Sequence, residues 1–182
     1  GLSMKLKTFS MGGVHPEENK ITAEVATVVA PLPQQAIFPL SQHIGAPAKP
    51  VVNRGDKVKV GTLIAEANGF VSAPIYSSVS GTVLKVDTAI DATGYRKPAI
   101  YINVEGDEWE ESIDRSETLE TLDKHPELTP EEIVNRIKVA GVTGMGGAGF
   151  PTFIKLCPPP TAKAECVILN GVECEPYITS DY

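Results

Sequence analysis

Hydrophobic positions alternate with polar ones at short intervals between Val51 and Val104. One round of short apolar segments surrounds a turn at residues 53–56, and a second round covers residues 73–86. Short strands separated by Asn, Gly and Asp are typical of a small all-β domain. Glycines fit the tight corners of such a domain, and this stretch has them at Gly55, Gly61 and Gly81. The pattern therefore predicts a compact β domain in this stretch.

The segment before this domain mixes apolar residues with prolines. Residues 21–39 contain Val25, Val28 and Val29 on one side of Pro31 and Pro33, and Ile37 and Phe38 on the other. Proline cannot donate to a strand ladder, so this segment predicts short, interrupted edge strands.

The periodicity becomes helical after residue 128. Thr129, Pro130 and Glu132 have the spacing of a capping box with proline in the first helical position. Apolar residues follow at helical spacing, and Gly141 stands where the helix should end. Three consecutive apolar residues within 165–170 then predict a buried parallel strand. The fold class expected for the whole chain is β plus α/β.

A glycine-rich loop, GVTGMGGAGFPTFIK, runs from Gly141 to Lys155. Five of its fifteen residues are glycine, so the backbone can enter positive φ and a ligand can approach its amides. Gly144, Gly146 and Gly149 satisfy G-x-G-x-x-G, but a helix precedes them where a dinucleotide-binding turn needs a strand. Glycine content alone leaves a flexible surface loop as an open alternative.

Composition narrows the classes of function. The chain has 182 residues, a net charge of −7 and no Lys/Arg cluster, which argues against a nucleic-acid partner. No apolar run reaches the roughly 20 residues of a membrane span. We expect a soluble, cytosolic piece, with residues 1–3 a remnant of tag cleavage ahead of Met4.

The cysteine, histidine and acidic residues are not arranged in the sequence as a metal site. Cys157, Cys166 and Cys174 are too widely spaced for an iron-sulfur cluster and are expected to be free thiols. His15 and His43 have no close set of other ligands, so structural or surface roles are expected. Acidic residues around Trp109 fit a solvated linker or a surface helix. The predicted division is a lead-in (1–20), a β domain (21–104), an acidic linker (105–128) and the start of an α/β domain (129–182).

The β domain resembles the biotinyl/lipoyl carrier fold, a flattened barrel with two similar halves. Its halves here are a G-D-x-V-x-x-G stretch and an A-P…G-x-V stretch. Carrier domains present an acylated lysine at the tip between the halves, but residues 66–72, EANGFVS, contain no lysine. The resemblance thus implies a docking or structural barrel without biotin or lipoate. Asn68-Gly69 suits a hairpin turn with two positive φ angles.

The glycine-rich loop and NGVECEP at residues 170–176 resemble the flavin-binding region of the NADH-oxidising subunit of respiratory complex I. They are closer to the RnfC family of Rnf electron transport complexes, and FSMGGVHPEENK and IFPLSQHIGAPAKPVVNRGDKV extend the resemblance upstream. The resemblance implies that this chain is part of an ion-translocating ferredoxin:NAD oxidoreductase, a translocase. That enzyme would use FMN and NAD(H), together with [4Fe-4S] clusters bound C-terminal to this chain. Expected partners are the other subunits, ferredoxin-type carriers and NAD(H), at the cytoplasmic face of the bacterial inner membrane.

The same resemblance assigns site residues. FMN would contact Gly144, Gly146, Gly147, Lys155, Asn170 and Glu173, and NADH would contact Phe150 and Glu175. No catalytic residue and no metal ligand is assigned. Val172 and Phe153 depart from the complex I pattern, which has an acidic residue and a glycine there. Open alternatives are exposed turn carboxylates at Glu173 and Glu175 and, for the whole chain, a noncatalytic docking module. We expect weak FMN retention and no activity in this piece alone.

Overall fold

The computed structural model describes residue 17 and residues 19–145, 147–166, 168 and 177. The chain divides into two compact units: Gly1–Ala30 with Ala164–Tyr182, and Pro31–Lys163. In the first unit the side-chain amide nitrogen of Asn19 donates to the hydroxyl oxygen of Tyr177 at 3.4 Å. The second unit contains the β domain, residues 105–128 and the glycine-rich loop. The predicted domain limits stay a prediction.

Seven strands precede two helices in the second unit. The strands are β1 (Gln35–Pro39), β2 (Lys49–Pro50), β3 (Lys57–Val58), β4 (Leu63–Glu66), β5 (Ile75–Tyr76), β6 (Gly81–Ile90) and β7 (Arg96–Val104). A 3₁₀ turn at Leu122–Lys124 leads to α1 (Pro130–Val139) and α2 (Thr152–Lys155).

The strands form two antiparallel sheets that share one core. The first has the order β1-β7-β6-β3 and the second β2-β4-β5. Ile100 and Ile102 from the first sheet and Ile64 from the second are fully buried in the same cluster. The predicted β domain is confirmed, and the two-sheet arrangement agrees with a barrel-sandwich.

The proline-containing segment forms fewer strands than predicted. β1 lies at a sheet edge, as expected for a strand that ends at Pro39. Val28 and Val29, however, are 84% and 91% exposed and lie in no strand. Pro31 and Pro33 follow them closely and offer no backbone donor to a ladder.

The tip between the barrel halves also differs from the prediction. Gly69 has φ +98°, but Asn68 does not have positive φ, so the turn with two positive φ angles is wrong. The backbone N–H of Asn68 instead donates to the Ser72 hydroxyl at 2.9 Å, which holds the tip in another conformation.

Part of the acidic segment lies against the barrel. Val60 bridges to Trp109, and the Thr62 hydroxyl donates to a Glu110 carboxylate oxygen at 2.6 Å. The side chain of Ile113 packs so closely on Gly61 that a Cβ there would come within 2.7 Å of it. Hydrogen bonds at residues 108–110 and the packing of Ile113 therefore hold this part of the segment against the barrel, and residues 114–121 are exposed.

The strand predicted at 165–170 falls mostly outside the described residues. Its described members Glu165, Cys166 and Ile168 lie in no strand, and Ile168 is 87% exposed. Among the described residues no strand follows α2 that could pair with it. Within the described part of the chain, no helix is long and apolar enough to cross a membrane.

Candidate functional site

Helix α1 leads the chain into the glycine-rich loop. The Thr129 hydroxyl accepts from the Glu132 backbone N–H at 3.2 Å, and the Glu132 carboxylate accepts from the Thr129 N–H at 2.7 Å. The helix ends at Val139, and Gly141 adopts φ +71° just beyond it. The predicted capping box and glycine stop are confirmed.

Backbone hydrogen bonds close the base of the loop. The Gly144 N–H donates to the Phe150 carbonyl at 3.0 Å, and the Thr152 N–H donates to the Val142 carbonyl at 3.0 Å. Thr143 and Pro151 form an antiparallel bridge between these bonds. Residues 144–150 therefore project as a loop from a fixed base, with Met145 fully exposed. Gly146 lies outside the described residues.

The glycines of the loop have two different reasons to be glycine. A Cβ on Gly141 would lie 2.6 Å from the Pro74 carbonyl oxygen, and one on Gly149 would lie 2.9 Å from that of Gln42. Both carbonyls belong to the barrel. Gly147, with φ +68°, has no atom of the other described residues, its chain neighbours aside, within 4 Å of the same position. Close barrel packing requires Gly141 and Gly149, while Gly147 leaves open space beside the loop.

Side chains of the barrel hold the helices on either side of the loop. The Tyr76 hydroxyl donates to the Val139 carbonyl at 2.6 Å. The rings of Phe70 and Phe153 meet edge to face, with centroids 6.1 Å apart and an interplanar angle of 83°. Phe153 is only 4% exposed, and the Lys138 ammonium lies 5.2 Å from its ring centroid. Phe153, which departs from the complex I pattern, thus packs against the barrel tip.

Two predicted site residues, Phe150 and Lys155, lie together. The Lys155 ammonium is 5.8 Å from the centroid of the Phe150 ring, within the range of a cation–π contact. Lys155 is exposed at the end of α2. The other predicted residues Asn170, Glu173 and Glu175, and Val172 beside them, lie outside the described residues.

A cleft of about 610 Å³ separates the loop from the barrel. Residues 143–145 and 147–149 line one wall, and residues 41–44 and 91–93 line the other. In the second wall, hydrogen bonds from Thr93, and after them contacts with Lys97 and Tyr95, lower the pKa of the Asp91 carboxyl group to about 2. The barrel wall of the cleft was not anticipated, because residues some fifty positions apart in sequence give no local signal of meeting.

His43 beside this cleft is a buried structural residue. It is 8% exposed, and its Nε2 lies 3.0 Å from the Ser72 hydroxyl oxygen. That hydroxyl donates to the Ala46 carbonyl, so Nε2 of His43 is the donor and Nδ1 is unprotonated. Nδ1 has no hydrogen-bond partner among the described residues, and burial lowers the pKa of the imidazole. The prediction of a structural or surface histidine agrees with this placement.

Similarity to known proteins extends over nearly the whole chain. Residues 7–107 match a family model described as the RnfC barrel sandwich hybrid domain, and residues 137–182 match the Nuo51 FMN-binding domain. The chain is 46% identical over 179 residues to the C subunit of the proton-translocating ferredoxin:NAD(+) oxidoreductase complex of Clostridium ljungdahlii. It is 43% identical over 183 residues to the C subunit of the Na(+)-translocating ferredoxin:NAD(+) oxidoreductase complex of Acetobacterium woodii.

These alignments cover 97% and 100% of this chain but only 38% and 40% of the two relatives. The C subunit of the ion-translocating oxidoreductase complex of Rhodobacter capsulatus is 42% identical, with 97% of this chain and 34% of the relative covered. The chain therefore spans about two fifths or less of the length of these relatives.

Proposed function

We propose that this chain, which belongs to the RnfC family, is the part of an ion-translocating ferredoxin:NAD oxidoreductase that binds FMN and presents it to NADH. The observation that carries the proposal is the match of residues 137–182 to an FMN-binding domain, since that range contains the loop closed at Gly144 and Thr152. The names of the relatives supply the reaction and the complex.

The described residues fit the phosphate end of FMN. A phosphate group favours backbone amides together with a cation. The loop offers an open position at Gly147, and Lys155 places an exposed ammonium next to Phe150. Lysine serves phosphate as a point charge on a flexible stem, which suits an exposed position. FMN, when bound, would exchange hydride with NAD(H) and single electrons with one-electron carriers.

The remaining roles follow from the family resemblance. Gly144, Gly146 and Gly147 line FMN, and Lys155 neutralises its phosphate. Asn170 and Glu173 hydrogen-bond around the flavin. The Phe150 ring gives NADH a flat surface, with Glu175 beside it. Electrons move between the flavin, [4Fe-4S] clusters and ferredoxin-type carriers in a complex at the cytoplasmic face of the membrane.

Flavin content and NADH oxidation, measured together, test these roles in a protein of the full family length. Lys155→Ala should lose FMN, whereas Phe150→Ala and Glu175→Gln should keep FMN and oxidise NADH less well. By analogy with base stacking on aromatics, Phe150→Ala should weaken NADH binding by about 1–3 kcal/mol. Lys163→Ala removes another exposed lysine and is the matched control.

Ferricyanide as electron acceptor keeps the assay independent of the membrane subunits. The assignment fails if Lys155→Ala retains stoichiometric FMN, or if Phe150→Ala loses FMN while NADH affinity stays unchanged. If the unaltered protein binds no FMN at all, the noncatalytic docking module is the better function. The lysine-free tip at residues 66–72, with Phe70 against Phe153, is the observation that favours this second function.

A further inference from the structure

The barrel contacts the glycine-rich segment at three separate places. At its start, the Tyr76 hydroxyl binds the Val139 carbonyl and the Pro74 carbonyl lies against Gly141. Near the end of the loop, the Gln42 carbonyl lies against Gly149. Beyond the loop, Phe70 meets the buried ring of Phe153. The segment is therefore held from outside as well as by its own backbone hydrogen bonds.

Phe153 connects the barrel tip to the proposed phosphate ligand. It lies on the four-residue helix α2, two positions before Lys155. So short a helix has little stability of its own, because helix nucleation is unfavourable and tertiary packing must supply the stability. The ring of Phe153 is the buried side chain of α2. Phe70, itself 70% exposed, packs on this ring and is thus one of the contacts that hold the backbone from which Lys155 extends.

We propose that the barrel is the positioning element of the flavin site, with Phe70 and Tyr76 as its positioning residues. Phe70 occupies the tip at which carrier domains hold their acylated lysine, and here it holds α2 in place. Tyr76 holds the end of α1. This inference rests on the proposed function, and it assigns to the barrel the ordering of the loop amides and Lys155 before FMN arrives.

Preorganisation is the physical reason for such an arrangement. A loop that must be ordered on binding weakens the affinity of its ligand, since the conformational entropy is lost at that moment. Gly147 lacks packing contacts at its Cβ position, and Met145 is fully exposed, so the outer loop has little packing of its own. Contacts at Gly141, Gly149 and Phe153 restrict the chain on both sides of it.

The test measures loop order and FMN affinity in the same variants of the full-length family protein. Phe70→Ala removes the aromatic pair, Phe70→Tyr keeps it, and Tyr76→Phe removes only the hydrogen bond to Val139. Ile37→Ala, a truncation of a half-exposed residue on β1, is the control. Loop order is read from hydrogen exchange at the Gly144 and Thr152 amides, which close the loop. Global stability is followed through the fluorescence of Trp109.

Phe70→Ala should speed exchange at both amides and raise the Kd for FMN by about 2- to 12-fold. That range corresponds to the roughly 0.5–1.5 kcal/mol of an edge-to-face aromatic pair, at about 1.4 kcal/mol per factor of ten. Phe70→Tyr should restore both values, Tyr76→Phe should shift both in the same direction, and Ile37→Ala should shift neither. The changes in exchange and in FMN affinity should not follow the changes in the global unfolding midpoint of the variants.

Unchanged exchange in Phe70→Ala would overturn the proposal, and so would faster exchange with unchanged FMN affinity. If the unaltered protein binds no FMN, the proposed function fails, and exchange alone then decides whether the barrel orders the loop.

Discussion

Replacing Gly141 with alanine tests whether the barrel and the glycine-rich segment are packed as tightly as the structure shows. Gly141 has φ +71°, and the added Cβ would lie 2.6 Å from the Pro74 carbonyl oxygen. A backbone atom cannot rotate away as a flexible side chain can, so either the loop or the barrel has to shift. Gly147→Ala is the matched control, because Gly147 has φ +68° and open space at the same position.

The expected magnitudes follow from two separate effects. An L-residue in the left-handed region is strained by about 1–2 kcal/mol, which both variants share. Overpacking a close contact adds about 1–3 kcal/mol, which only Gly141→Ala incurs. We therefore expect Gly147→Ala to lower the free energy of unfolding by about 1–2 kcal/mol and Gly141→Ala by about 2–5 kcal/mol. In a protein of this size the difference corresponds to about 2–12 °C in Tm.

Urea unfolding followed by two signals measures this difference. Trp109 is the sole tryptophan and lies against the barrel, and far-UV circular dichroism includes α1. A lower midpoint at an unchanged slope reports lost stability alone. Equal midpoints for Gly141→Ala and Gly147→Ala would refute the reasoning, since the Pro74 carbonyl would then not limit the space at Gly141.

Two further predictions concern pH and modification. Burial lowers the pKa of His43, so the unfolded chain binds the additional proton and stability should fall as pH drops below about 6.5. His43→Gln should remove this loss. Glu120 and then Glu127 raise the pKa of His125, so His125 stabilises the fold below about pH 6.5 and loses that effect as pH rises. Chemical denaturation from pH 5 to 8 distinguishes the two histidines. Because residues 66–72 contain no lysine, the intact mass should be unchanged after coexpression with biotin and lipoate ligases, and an added cofactor mass would contradict the carrier argument.

Local sequence signals are sufficient for the capped helix and for the turns of the β domain, but not for every strand. The capping box at Thr129 depends on residues within one helical turn, so its geometry follows from the sequence alone. Likewise, the turn at residues 53–56 and the short strands after it require no knowledge of distant contacts, although Val51 and Val52 before it lie in no strand. These features agree between sequence and structure because short-range physics determines them.

Contacts between distant segments could not be predicted in this way. Phe70 and Phe153 are 83 positions apart, and nothing near either residue indicates its partner. Acidic neighbours dominate the local composition around Trp109 and predict a solvated segment, yet Trp109 bridges to Val60. β propensity alone predicts strands at Val28 and Val29, but it depends on packing against neighbouring strands, and both side chains are exposed.

The position of Phe70 has a consequence for how electrons can move. A biotinyl or lipoyl domain works as a shuttle, since its tip has to travel between reaction centres with its cofactor attached. In this chain the corresponding tip meets a buried ring on α2 and presents no residue for attachment. Packing at the tip restricts the travel that a carrier domain needs. On the proposed function, we therefore expect electrons to reach and leave the flavin across fixed distances rather than on a swinging arm.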